Sequence, residues 1–60
     1  MPIRFTRAQA HENALFLELL AQTGNARLAA REVRRAHSTM HERRQKDAGF
    51  AQRWDAALAA

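Results

Sequence analysis

A single stop-and-start signal, Thr23-Gly24-Asn25, divides this chain of 60 residues into helical segments. Gly24 suits the left-handed backbone conformation that ends a helix, and the Asn25 side chain can cap the next one. Apolar residues recur at helical spacing on both sides, and the whole chain holds one proline and two glycines. The pattern predicts an all-α fold, a compact bundle of three or four short helices in a single domain over residues 1–60.

The N-terminal part predicts a short arm, residues 1–5, followed by the first helix. Thr6 and Gln9 have the spacing of a capping box, in which each side chain binds the other residue's backbone amide. Apolar residues then repeat every three to four positions as far as the Thr23-Gly24-Asn25 signal. The first helix should therefore run from this box to about Gln22.

The boundary between the second and third helices carries the weakest signal. Arg34-Arg35-Ala36 contains neither glycine nor proline, so propensity alone would allow one continuous helix. Ser38 and Thr39 favour a new start, because such residues suit helix N-termini better than helix interiors, and Thr39 with Glu42 has capping-box spacing. We expect a turn near residues 34–36 and helices at about 26–34, at 37–46 and beyond a cap at Asp47.

Apolar stripes on these helices predict the core. Phe50, Trp54 and Leu58 recur every four residues, and we expect the aromatic pair to be core residues rather than platforms for stacked bases. Met40 is the expected inward anchor of the third helix. The other predicted core positions are Phe16, Leu19, Leu20, Ala29, Ala30 and Val33, with Leu15 and Leu28 at the margin.

Positive charge is concentrated in the middle of the chain. Seven of the ten basic residues lie between positions 27 and 46, where only Glu32 and Glu42 oppose them. Nine of the ten are arginine, whose planar guanidinium matches phosphate oxygens and guanine edges. The block predicts a polyanionic partner. A solvated basic face that only confers solubility is the alternative.

Several other classes find no support in the residues. The chain has no cysteine, and no apolar run approaches the ~20 residues needed to cross a membrane. His37 and His41 stand one helical turn apart, but we expect surface histidines rather than a metal site. No nucleophile motif, phosphate loop or carboxylate pair is present. We therefore expect no enzyme, metal, cofactor, small-molecule substrate or membrane partner, and a cytoplasmic location.

The stretch 16–25, FLELLAQTGN, resembles the opening of a helix-turn-helix group found in bacteria and phages. In that group an alanine-rich helix, a Ser-Thr pair and a last helix with aspartate, phenylalanine and tryptophan follow. The chain is similar to the N-terminal domain of phage small terminase subunits and to related homeodomain-like regulators. The matching residues here are Ala29, Ala30, Arg31, Ser38, Thr39, Asp47, Phe50 and Trp54, and the match ends with WDAAL at 54–58.

The resemblance implies a module that binds double-stranded DNA through its third helix, in DNA packaging or in transcription regulation. Arg34, Arg35, Arg43, Arg44 and Lys46 would then contact phosphates. Ser38, Thr39, His41 and Glu42 would face the bases, with Gln45 beside them and His37 near phosphate.

The chain departs from the family pattern where contact with DNA is expected. Arg34 and Arg35 replace glycine and valine in the turn, and a left-handed residue other than glycine there would cost about 1 kcal/mol. Ala36 replaces the serine cap, Arg43 an apolar or aromatic residue, and Ala48 a proline. The turn geometry and the selectivity for DNA sequence are therefore open.

A second class of function fits the same charges. The helices could form a protein-interaction module, for instance a phage-encoded inhibitor that docks on an acidic partner. Assembly into a homo-oligomer and a preference for RNA are also left open by the residues.

Overall fold

The computed structural model describes residues 5–60, and within them it contains helices and no strands. The predicted all-α class is thereby confirmed. Residues 1–4 of the predicted arm lie outside the described residues. The four helices are α1 (Arg7–Thr23), α2 (Ala26–Glu32), α3 (His37–Lys46) and α4 (Ala48–Ala59).

The ends of α1 form as the sequence predicts. The Thr6 Oγ1 atom accepts a hydrogen bond from the Gln9 amide at 3.1 Å, and the Gln9 Oε1 atom accepts one from the Thr6 amide at 2.9 Å. At the other end Gly24 has φ 66°, and its amide donates to the Leu20 carbonyl at 2.7 Å. Asn25 then caps α2 by accepting from the Leu28 amide at 3.0 Å.

The α2–α3 junction is a turn, as expected, and Arg34 adopts the left-handed conformation with φ 61°. The Arg35 amide donates to the Ala30 carbonyl, and the Arg34 amide donates to the Arg31 carbonyl. These two bonds define a Schellman motif, which normally carries glycine at the position of Arg34. α2 consequently ends at Glu32, slightly earlier than predicted.

The predicted capping box of Thr39 and Glu42 is wrong. α3 begins at His37, with Ala36 as its N-cap and no side-chain capping bond. Thr39 is already the third residue of the helix, where its amide donates to the Ala36 carbonyl at 3.0 Å. Asp47 ends α3 and caps α4 as predicted, accepting from the Phe50 amide at 2.8 Å.

The core lies where all four helices meet, with α1 packed on α2 and α4, and with α3 packed on α2 and α4. Leu58 was expected inside but is 50% exposed. A stripe with a period of four residues drifts around the helix by about 40° per step, so Ala57 takes the inward position instead. Leu19 and Val33 are half-buried. The buried apolar residues are Phe16, Leu20, Ala29, Ala30, Met40, Phe50 and Trp54.

Candidate nucleic-acid interface

The exposed face of α3 is polar along its whole length. Ser38, Glu42 and Gln45 are exposed and stand at positions i, i+4 and i+7, which align on one side of a helix. Met40 and Arg43 occupy the buried side. An α-helix with a free polar face of this kind has the dimensions that fit the major groove of duplex DNA.

The first turn of α3 lacks a side-chain cap, because its N-cap residue is Ala36. The opening amides of a helix have no partner within the helix, and the helix dipole adds partial positive charge at this end. Ser38 is exposed in that turn, so its hydroxyl adds a polar group at this helix end. This end of α3 favours negatively charged groups.

Three arginines on the elements that precede α3 make no ion pair within the described residues. Arg27 and Arg31 lie on α2, and Arg34 lies in the turn that follows it; all three are exposed. The pKa of His37 is lowered, first by burial, then by His41 and by the charge of Arg27. Arg27 therefore lies close enough to α3 to act on its first residue.

Three of the five predicted phosphate contacts are held in ion pairs at the surface. Arg35 binds Glu12 of α1 at 2.8 Å, and the Lys46 ammonium lies 3.3 Å from Glu42 one turn earlier. Arg44 binds Asp55 of α4 at 2.9 Å, and its guanidinium also donates to the Ala51 carbonyl and stacks over Trp54. Exposed pairs contribute ~0–1 kcal/mol, so a phosphate could replace these carboxylates at small cost.

Arg43 is placed differently from what its predicted role in phosphate binding requires. Its side chain is only 9% exposed, because it points into the domain towards α1. One guanidinium nitrogen donates to the Asn13 Oδ1 atom at 2.7 Å, and the other lies 3.2 Å from the Glu12 carboxylate. Buried and bound on two sides, Arg43 is a structural residue and leaves the set of candidate contacts.

The two histidines of α3 face each other. Their Nε2 atoms are 2.9 Å apart, and the His41 ring packs on the Trp54 ring with centroids 5.0 Å apart. Both are half-buried rather than fully on the surface. Within residues 5–60 no three histidine, aspartate or glutamate side chains come together as metal ligands.

The structure thus brings some predicted site residues together and separates others. Ser38 and Glu42 share the free face of α3, with Thr39 and His41 half-buried at its edges. Arg27 and Arg31 belong to the basic block but not to the set of contacts that the sequence predicts. Arg27 and Arg31 are four residues apart on the helix that leads to the turn before α3. That spacing is the sequence signal that could have placed them among the candidate phosphate contacts.

Comparison with known proteins identifies no relative of this chain. No protein-family model, curated protein or solved structure matches the chain. In the part of the chain that the structure describes, none of the helices has the length and apolar character needed to span a bilayer.

Proposed function

We propose that this domain binds double-stranded DNA as a helix-turn-helix module, with α3 in the major groove and α2 against the phosphate backbone. The observation that carries the proposal is that three exposed arginines on α2 and the turn leading to the uncapped start of α3 form no ion pair within the described residues: Arg27, Arg31 and Arg34. Free cations around a helix N-terminus attract phosphates, and the adjoining polar helix face can meet base edges.

The roles divide between affinity and selectivity. The three free arginines supply contacts with phosphates, which hold the protein on any sequence. Ser38 lies where a hydroxyl can reach phosphate or base. Glu42 can accept from a cytosine amino group once Lys46 turns to the backbone, and Gln45 can pair with adenine.

The family resemblance, which covers about residues 14–60, supports two processes for such a module. DNA packaging, as in phage small terminase subunits, and transcription regulation both need a small basic domain that recognises duplex DNA. Both place the protein in the cytoplasm of a bacterial or phage-infected cell and assign it no catalytic residue. Self-association would bring two α3 helices to neighbouring grooves.

The test removes two arginines from the proposed DNA-binding face and compares the loss of affinity for duplex DNA with the loss caused by removing an arginine elsewhere. Arg27→Ala/Arg31→Ala should weaken binding to a fluorescently labelled duplex and lower the salt slope by about 0.9 for each phosphate that is no longer neutralised. Arg53→Ala is the control, since helical spacing places Arg53 on the side of α4 away from Ala51, which contacts α3. Equal losses of affinity in the double variant and the control would refute the proposed face.

One observation favours the second candidate, a module that docks on an acidic protein. Leu28 is 37% exposed on α2, and Arg27 and Arg31 both lie on one side of it, so an apolar anchor stands next to two cations. An acidic peptide with apolar residues would use that anchor, whereas DNA phosphates would not. Leu28→Ser should leave duplex binding unchanged if the DNA proposal is right, and it should abolish binding of an acidic partner if the alternative is right.

A further inference from the structure

We propose that His37 and His41 form a two-histidine chelate for Cu(II) at the start of α3. The resemblance places both histidines near DNA, but the proposed function does not depend on either of them, and the test of this site involves no nucleic acid. The proposal rests on the closeness of two imidazole nitrogens that one turn of helix brings together.

The two imidazole nitrogens already lie as close together as a chelate requires. Residues at i and i+4 lie above one another on a helix, and here the two Nε2 atoms approach to 2.9 Å with the rings 78° apart. The His41 ring is packed against Trp54, so one ligand is held in place by the core. Metal binding would replace the hydrogen bond between the two nitrogens, with the proton released to solvent and the rings turned so that both nitrogens face the ion.

The distance between the nitrogens selects the coordination geometry. Metal–imidazole bonds of about 2.0 Å that end on nitrogens 2.9 Å apart enclose an angle of roughly 90° at the metal. That angle suits neighbouring positions in a square or tetragonal complex, the preference of Cu(II) and Ni(II). Tetrahedral Zn(II) would need the nitrogens ~3.3 Å apart.

The positive charges near the two histidines and the lack of a third ligand favour the metal ion that imidazole binds most strongly. Arg27 acts electrostatically on His37, and the Arg44 guanidinium lies over Trp54, 5.3 Å from the ring centroid. Both positive charges oppose any cation, and the described residues offer no third ligand. Among divalent first-row metals the affinity for nitrogen ligands peaks at Cu(II), so Cu(II) should bind here with water in its remaining positions.

The sole tryptophan of the chain provides the readout. Trp54 lies against His41, so paramagnetic Cu(II) bound to the pair should quench its fluorescence and saturate at one ion per chain. In an untagged chain titrated with Cu(II), His37→Ala should weaken this binding about tenfold or more through loss of one ligand. His11→Ala is the matched control, because His11 is exposed on α1 and should leave the titration unchanged.

A second measurement does not depend on a variant that folds. Electron paramagnetic resonance of the unaltered chain with one equivalent of Cu(II) should show a tetragonal signal with hyperfine coupling to two imidazole nitrogens. A signal from one nitrogen or none would overturn the proposal. So would quenching that His37→Ala leaves intact or that His11→Ala removes.

Discussion

Arg34 occupies a backbone position that suits glycine. Its φ of 61° lies in the left-handed region, where the Cβ atom approaches the following carbonyl oxygen. The Schellman hydrogen bonds of Arg34 and Arg35 to the end of α2 hold it there. An arginine at this position therefore costs stability while it places a positive charge beside α3.

Arg34→Gly should make the domain more stable. Relief of the left-handed strain should raise the free energy of unfolding by about 1 kcal/mol, measured by urea denaturation. Arg34→Ala is the control, since it removes the same charge but keeps a Cβ atom, and it should show no comparable gain. A gain of equal size in both variants would mean that charge repulsion, rather than backbone strain, is what the substitution relieves.

Arg43 and Arg44 are neighbours with opposite environments. Arg43 joins α3 to Asn13 from within the domain, whereas Arg44 is a partly exposed side chain at the surface. Arg43→Ala should lower the free energy of unfolding by about 2 kcal/mol, because it leaves the buried Asn13 without its bond and opens a void. Arg44→Ala should cost under about 1 kcal/mol. Equal costs in urea denaturation would contradict the structural role given to Arg43.

At the scale of helices, the boundaries set by local chemistry were predictable. The caps at Thr6, Asn25 and Asp47 and the left-handed Gly24 involve residues no more than four apart, so sequence spacing identifies them. The predicted start of α3 is correct, but the capping box predicted from Thr39 and Glu42 is wrong. Ala36 is the N-cap, at the position that the resemblance assigns to the cap, and its side chain offers no local signal of a helix start.

The link between α1 and α3 was not predictable. No Cα atoms of these helices approach within 8 Å, so their contact is made by the long side chain of Arg43 with Asn13, 30 positions earlier. A charged residue in a basic stretch is normally solvated, and the spacing gives no sign that this one turns inward. Arg43 stands at a position where the family that the sequence resembles has an apolar or aromatic residue.

The ion pairs of Glu12 with Arg35 and Arg43 make the stability of the domain depend on pH. The hydrogen bond from Arg35 is the main cause that holds the pKa of Glu12 below its ordinary value of 4.5, and Arg43 acts in the same direction. The unfolded chain therefore binds the proton more readily. The stabilisation is present above pH ~4.5 and is lost as the pH falls through the lower folded pKa.

Comparison with an isosteric variant isolates this contribution. The difference in free energy of unfolding between the parent and Glu12→Gln should be constant above pH ~4.5 and should shrink in more acidic solution. Glu18→Gln serves as the control, because Glu18 is exposed on the same helix and forms no ion pair within the described residues. A difference in free energy of unfolding that does not change with pH would contradict the stabilisation of the Glu12 carboxylate by Arg35 and Arg43.

On the scale of the whole molecule, the formal charge of +4 separates into structural and free parts. Arg43 holds helices together, and three other cations of the basic block are paired at the surface. Arg27, Arg31 and Arg34 are exposed and form no ion pair within the described residues. The sequence identified the basic block, but only the three-dimensional pairing shows which of its charges are unpaired.

The salt dependence of binding to duplex DNA is the most direct test of the proposed DNA-binding function. If the three free arginines contact phosphates, the logarithm of the association constant should fall with the logarithm of salt concentration with a slope of about −3. Single-stranded DNA should compete poorly, because α3 requires the groove of a duplex. An absence of duplex binding at low salt, or an affinity that does not change with salt, would contradict the proposal that this domain binds DNA.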